Sequence, residues 1–175
     1  MALTGGITVA CADSQRRGGV KRAWITDVTN VDSMTAGSSH DFSAITVTTA
    51  MYKYGYEDFS FSVSSEGSKE NGSSVLTHTI EFTIPKMTKE KAAKLQELVD
   101  LCKAVIVFED FNDRYFVAGF DSIIEHKAGL TITVGQTIGS GLQDSNHFTI
   151  SASGVSAELF REFTGSITSA SEFEQ

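Results

Sequence analysis

The chain has 175 residues, enough for one domain with a sizeable core, and a net charge of −8 from 14 Lys plus Arg against 22 Asp plus Glu. Twelve phenylalanines, abundant threonine and a single proline favour strands. The acidic balance argues against a groove that grips phosphates, and no apolar run approaches the roughly 18 residues of a membrane span. The opening Met1-Ala-Leu-Thr-Gly-Gly lacks the charged start and apolar core of a secretory signal, so a soluble protein made in a cytoplasm is expected.

Residues 1–23 read as an arm. Ile7 and Val9 suit the beginning of a strand that Gly18-Gly19 breaks. Arg16, Arg17, Lys21 and Arg22 cluster around that break, either as a solvated loop or as a contact patch for an acidic partner surface. No aromatic residue is interleaved with them, as single-stranded nucleic-acid binding would want. Ala23, Trp24, Ile25 and Val28 read as a strand, 30–41 as a Ser/Gly-rich loop, and Phe42 to Met51 as a strand with a bulge. Tyr52, Tyr54 and Tyr56 alternate with polar residues, either as sheet-face packing or as a stacking platform.

Phe59, Phe61 and Val63 alternate again. The low-complexity stretch from Ser64 to Ser74 has turn residues and no apolar anchor. It reads as the tip of a long hairpin, whose Glu66, Lys69 and Glu70 are candidates for contact with a neighbouring subunit. From Leu76 to Ile84 the apolar residues Leu76, His78, Ile80, Phe82 and Ile84 alternate with Thr77, Thr79, Glu81 and Thr83, the signature of a half-buried strand. Pro85 removes a ladder donor and should end it. Thr88 then caps a helix over 88–103, with Ala92, Leu95, Leu98 or Val99, and Cys102 on its apolar stripe. Cys102 is thus expected to be a small buried hydrophobe, and two cysteines, Cys11 and Cys102, make no disulfide framework.

Ala104 to Phe108 is fully apolar, as in a strand buried on both faces. Asp110 to Asp113 make a turn, and Arg114 to Phe120 run back. A short strand from Ile123 to His126 follows, then an alternating strand with Leu130, Ile132 and Val134, a Gly-rich connection over 135–146, and a last strand through Phe148, Ile150 and Ala152 that Gly154 ends. The tail, 155–175, carries Leu159, Phe160, Phe163 and Phe173 among Glu158, Glu162, Glu172 and Glu174, and is expected to dock on this subunit or on another. Domain and parts are therefore one unit: an arm 1–23, a β core 24–154 and a tail 155–175. The fold class is mainly β with one flanking helix, a long hairpin and extended arms.

The residues suggest no chemistry. None of His40, His78, His126 and His147 has a partner at zinc-site spacing, and His78 lies on the apolar face of its strand. There is no G-x-S-x-G elbow, and Gly139-Ser-Gly141 completes neither the dinucleotide nor the phosphate-loop fingerprint. Asp110-Phe-Asn112-Asp113, with Asp121 downstream, lacks the glycine and terminal acid of a calcium loop and reads as a turn built by Asx side chains. No enzyme activity, cofactor or metal is expected.

Three stretches carry a resemblance. They are Ile84-Pro-Lys-Met-Thr with the helix ending Leu95-Gln-Glu-Leu-Val-Asp-Leu-Cys, Val107-Phe-Glu-Asp-Phe-Asn-Asp-Arg-Tyr-Phe-Val-Ala-Gly, and Gly139-Ser-Gly-Leu-Gln-Asp-Ser-Asn-His-Phe-Thr-Ile closing at Gly154. With the opening Met1-Ala-Leu-Thr-Gly-Gly-Ile-Thr they cover roughly two thirds of the chain. The chain thereby resembles small structural proteins of tailed bacteriophages, closest to those of phages infecting Bacteroides-type hosts. Asp113 stands where that family usually has a turn glycine, and His147 stands where it has the second. The resemblance implies a virion component of the tail, the tube subunit. It implies a β-sandwich or barrel, self-assembly into stacked, usually hexameric rings, contact with other tail proteins, and DNA passing through without sequence-specific binding. The arm cluster Arg16, Arg17, Lys21 and Arg22 would meet tail carboxylates of a neighbour, and Phe160 and Phe163 would supply apolar contact. Alternatives are a head–tail joining ring or capsid decoration protein, the inner tube of a contractile injection machine, and a carbohydrate-binding β-sandwich using Trp24 and the tyrosines.

Overall fold

A computed structural model describes residues 18–70, 73–125, 128–141 and 143–165, with 70 and 73 described for their backbone alone. Ile7, Val9, Cys11, Arg16, Arg17, His126, Glu172, Phe173 and Glu174 lie outside the described residues. The chain is mainly β with one α-helix. Its elements are β1 (Val20–Asp27), a 3-10 turn (Val28–Asn30), β2 (Val31–Ala36), β3 (Asp41–Val47), β4 (Tyr52–Lys53), β5 (Ser62–Glu70) and β6 (Ser73–Pro85). Then come α1 (Lys89–Val99), β7 (Ala104–Asp110), β8 (Tyr115–Ala118), β9 (Thr131–Thr137), β10 (His147–Ser156) and β11 (Arg161–Phe163). The strands form a seven-stranded sheet, ordered β2-β3-β11-β8-β7-β1-β4, and a four-stranded sheet, ordered β5-β6-β10-β9.

The period-two pattern of β6 places His78, Ile80, Phe82 and Ile84 inside and leaves Thr77 and Glu81 exposed. Its inward residues join Ile132 of β9 and Phe148, Ile150 and Ala152 of β10 in one apolar cluster. Ala23, Ile25, Ile106, Phe108 and Ala118 of the large sheet meet them there, so the two sheets share a core. The opposite face of the large sheet buries a second cluster, with Trp24, Val105, Val107 and Val117 against Phe42, Met51, Phe120 and Phe163. β7 feeds both clusters, which is why Ala104–Phe108 has no polar residue to alternate with.

Pro85 is the last residue of β6, and the Thr88 hydroxyl accepts from the Lys91 N–H to start α1. Leu95 and Leu98 face the shared core, each burial contributing about 1.5–3 kcal/mol. The helix is shorter than its apolar spacing predicted. It ends at Val99, with Asp100 as C-cap. Cys102 therefore lies past the last turn and is exposed, which corrects its reading as a buried hydrophobe.

Other boundaries also move. β1 begins at Val20, so Lys21 and Arg22 belong to a sheet rather than to an arm. The stretch read as a Ser/Gly-rich loop contains β2, which pairs with β3 from Val31↔Val47 to Ala36↔Phe42. In place of the predicted strand, residues 122–124 form a turn closed by an Asp121–Glu125 bridge, with Ile123 exposed. β10 runs through Gly154 to Ser156. The tail's Arg161–Phe163 docks on this subunit as β11, parallel to β3 and antiparallel to β8.

Candidate functional site

The four-stranded sheet has one face in the core and one outside it. Residues at the same level across its strands are Ser62, Glu81, Ser151 and Thr133, then Ser64, Thr79, Ser153 and Thr131. Glu66, Thr77 and Val155 follow toward one end, and Thr83, Thr149 and Gly135 toward the other. The outer face is thus a carpet of Ser and Thr hydroxyls with Glu66 and Glu81 as its acids. No Lys or Arg stands on it among the described residues. Hydroxyls at this spacing bond to neighbouring strands, as when Thr133 Oγ1 donates to the Ser151 carbonyl at 3.2 Å and Ser151 Oγ to Glu81 Oε1 at 3.3 Å. The sequence showed the threonines strand by strand; what it did not show was the register that brings them onto one face.

β5 and β9 are the edge strands of this sheet, and α1 packs beside β9. Each has one ladder partner among the described residues. The β5–β6 hairpin also overhangs. The last β6–β10 pair is Leu76↔Ser156, and the pairs Ser68↔Val75, Lys69↔Ser74 and Glu70↔Ser73 lie beyond it. Lys69 is exposed there, and Glu66 is exposed where β6 is still paired with β10. The tip is nevertheless ladder, not loop. The residues between Glu70 and Ser73 are Asn71-Gly72, the combination that best closes a two-residue hairpin and the signal that reading the stretch as low complexity passed over.

The basic residues of β1 are answered inside the subunit. Lys21 Nζ donates to Glu109 Oε1 at 2.9 Å and Asp113 Oδ1 at 2.6 Å, and Arg22 Nε lies 3.4 Å from Glu109 Oε2. Lys21 holds the Asp113 carboxyl below its ordinary range. Asp113 itself has φ +60°, the left-handed conformation that a turn glycine would supply. Lys21 and Arg22 therefore neutralise Glu109, a 2 % exposed carboxylate, before they are available to a neighbour.

The tail residues also face inward. Phe163 is 4 % exposed in the second apolar cluster, which removes it as a surface contact, and Phe160 packs against His78 and Phe108 at 4.1 and 5.6 Å between ring centres. Leu159, 58 % exposed, is the apolar residue this segment presents outward. Burial acts to raise the Glu158 carboxyl, but the Arg161 guanidinium at 2.7 Å and the Ser122 N–H at 2.5 Å outweigh it and hold it below its usual range. Glu162 lies 3.8 Å from Arg114. Glu158 is thus spent within the subunit and is not a free partner for a neighbour's arm.

Asp110 and Asp121 serve separate turns rather than one ion site. Asp110 Oδ1 accepts from the N–H groups of Asn112 and Arg114. Asp121 accepts from Ile123, Ile124, Ala157 and the Ser156 hydroxyl. Asp144 likewise gathers the Ser140 and Gly141 N–H groups. Trp24 is 2 % exposed against Tyr115, so it offers no platform to a sugar. Tyr52, Tyr54 and Tyr56 line a cleft of about 760 Å³ against α1. Tyr56 donates to the Val20 carbonyl at 2.6 Å, and burial pushes its hydroxyl up to about 12.

Comparison of the chain with protein-family models, with curated proteins and with solved structures finds no match.

Proposed function

We propose that this protein is a non-enzymatic structural subunit that assembles into stacked rings, as the tube of a bacteriophage tail, and encloses a conduit for DNA. The observation that carries the reading is the four-stranded sheet with its two edge strands, β5 and β9, and an outer hydroxyl face on which no described Lys or Arg stands. Its strands alternate in direction from β5 to β9, so the two edges run oppositely. A rotation that brings β9 of one copy beside β5 of the next therefore makes an antiparallel ladder, the more favourable kind. Such a contact is head-to-tail and generates a ring when the rotation closes. Six copies follow from the resemblance alone.

The face left on one side of that joined sheet suits a passing polyanion. It carries hydroxyls and carboxylates, so phosphates find hydrogen-bonding water but no counter-charge to hold them. The overhanging β5–β6 tip extends past the end of β10 along the strands, which supports contact toward a stacked ring. Negative-stain electron microscopy of the purified protein tests the reading. Hollow filaments or stacked rings are expected. Single rings that never stack would indicate a joining ring or decoration protein, and monomers at high concentration would overturn self-assembly.

A further inference from the structure

Residues 156–164 run back across the subunit and insert β11 between β3 and β8, in the interior of the large sheet. Three contacts pin this strap. Asp121 holds its start through the Ser156 hydroxyl at 2.9 Å and the Ala157 N–H at 3.0 Å. Glu158, bonded to Arg161, ties its middle to the Ser122 N–H. The third pin is a set of ring contacts. Phe160 lies 4.1 Å from the imidazole of His78 and meets Phe108 edge-on at 5.6 Å.

His78 is an unusual pin. It is 3 % exposed, and neither ring nitrogen has a hydrogen-bond partner among the described residues. Its register partners are Ser65 on β5 and Gly154 on β10, which bring no charge, and the Ser65 hydroxyl is itself buried without a partner. The influences that favour a charged ring are the Glu158 backbone and the Asp121 carboxylate. Burial outweighs both and pushes the His78 pKa below the ordinary histidine range.

We infer that His78 is an acid-sensitive latch: neutral, its ring seats Phe160 and holds the strap; protonated, it can no longer share that apolar site, and the strap with β11 detaches. Released residues reach their ordinary pKa near 6.5, whereas the seated ring takes a proton at lower pH. Holding is therefore complete above about pH 6.5 and weakens as the pH falls below it. Asp121 and Glu158 are held below the ordinary carboxylate range and keep their charges through this interval. The other imidazole at this end is His40, 47 % exposed with Nδ1 3.9 Å from Glu158, and it serves as the control.

Hydrogen exchange read by mass spectrometry on peptides covering 156–164, corrected for the intrinsic rate, tests the latch. Lowering the pH from 7.5 to 5.5 should raise exchange in the strap, by up to about tenfold, while β6 and β10 stay protected. His78→Phe should abolish the pH effect and His40→Gln should leave it. A proton NMR titration of the wild-type His78 ring reads the same event without a variant, and should show a midpoint below the ordinary value. Strap protection equal at both pH values, a pH effect that survives in His78→Phe, or a His78 midpoint at or above the ordinary value would overturn the inference.

Discussion

Asp121 and Ser156 meet through a buried 2.9 Å hydrogen bond across 35 residues of chain. The carboxylate also receives the N–H groups of Ile123, Ile124 and Ala157, so one side chain closes a turn and anchors the start of the segment that follows β10. Burial alone would raise its pKa, but the four donors more than offset this and hold it below the usual 3.8. Asp121→Ala leaves several buried donors unsatisfied and should cost about 2–4 kcal/mol, measured by urea unfolding. Because the folded pKa is depressed, the contribution of Asp121 is present above the ordinary carboxylate value and fades as the pH falls through the lower folded one. Wild type should therefore lose more stability than Asp121→Asn between pH 4 and strongly acid conditions; parallel losses would assign the acid sensitivity elsewhere.

Leu98 and Val99 are neighbours on α1 with opposite surroundings. Leu98 is 3 % exposed and Val99 is 45 % exposed. Leu98→Asp buries an unpaired charge against both sheets and should unfold the subunit or make it insoluble, at a cost of several kcal/mol. Val99→Asp should be tolerated to within about 0.5 kcal/mol. Circular dichroism and soluble yield of the two variants check this, and equal behaviour would mean that the helix faces the core differently.

The hydroxyl face makes a prediction about charge. Thr133 and Ser151 sit side by side on it, one on β9 and one on β10. Thr133→Lys with Ser151→Lys should leave the subunit folded, since both positions point out of the core. It should also confer salt-dependent DNA binding on the assembled protein. Gel-shift measurements at two salt concentrations provide the check. Wild-type assemblies that already retain DNA would contradict a non-adhesive face.

Replacing residues 68–75 by Asn-Gly removes the overhanging part of the hairpin and closes Gly67 onto Leu76. These pairs lie beyond β10 and contribute no residue to either apolar cluster, so thermal stability should change little. Assembly should fail or stop at single rings. Sedimentation velocity and electron microscopy separate the outcomes, and full-length filaments from the shortened protein would remove the tip from the stacking contact.

Local patterns carried the parts of the fold that are locally determined. Leu76–Ile84 alternates, Pro85 stops, Thr88 caps and Ala104–Phe108 is apolar throughout, and each became the element its pattern implied. What escaped was set by partners far along the chain. β2 has Ser/Thr/Asp composition suited to a loop and is a strand because β3 lies beside it. The Ser-rich arms of the long hairpin are strands because the register of β6 continues into them. β11 has three residues and no periodicity to read; β3 and β8 define it. Of the predicted contact residues, Lys69 lies on the exposed tip and Glu66 on the outer face of the small sheet, whereas Lys21, Arg22 and Phe163 are engaged in the subunit's own ion pairs and core. Spacing gives no warning of this, because the residues they meet are tens of positions away.

The placement of β11 has a bearing on how the chain is made. Phe163 pairs with Phe42, 121 positions earlier, and fills a slot between strands that are themselves finished long before. Until residues 161–163 have emerged from the ribosome, β3 and β8 have no strand between them and the large sheet cannot reach its final order. A nascent chain should therefore stay protease-sensitive until residues 161–163 have emerged and then become resistant in one step, a timetable imposed by contact order. Subunits held open until β11 is in place would meet one another with the large sheet complete, not as fragments of it.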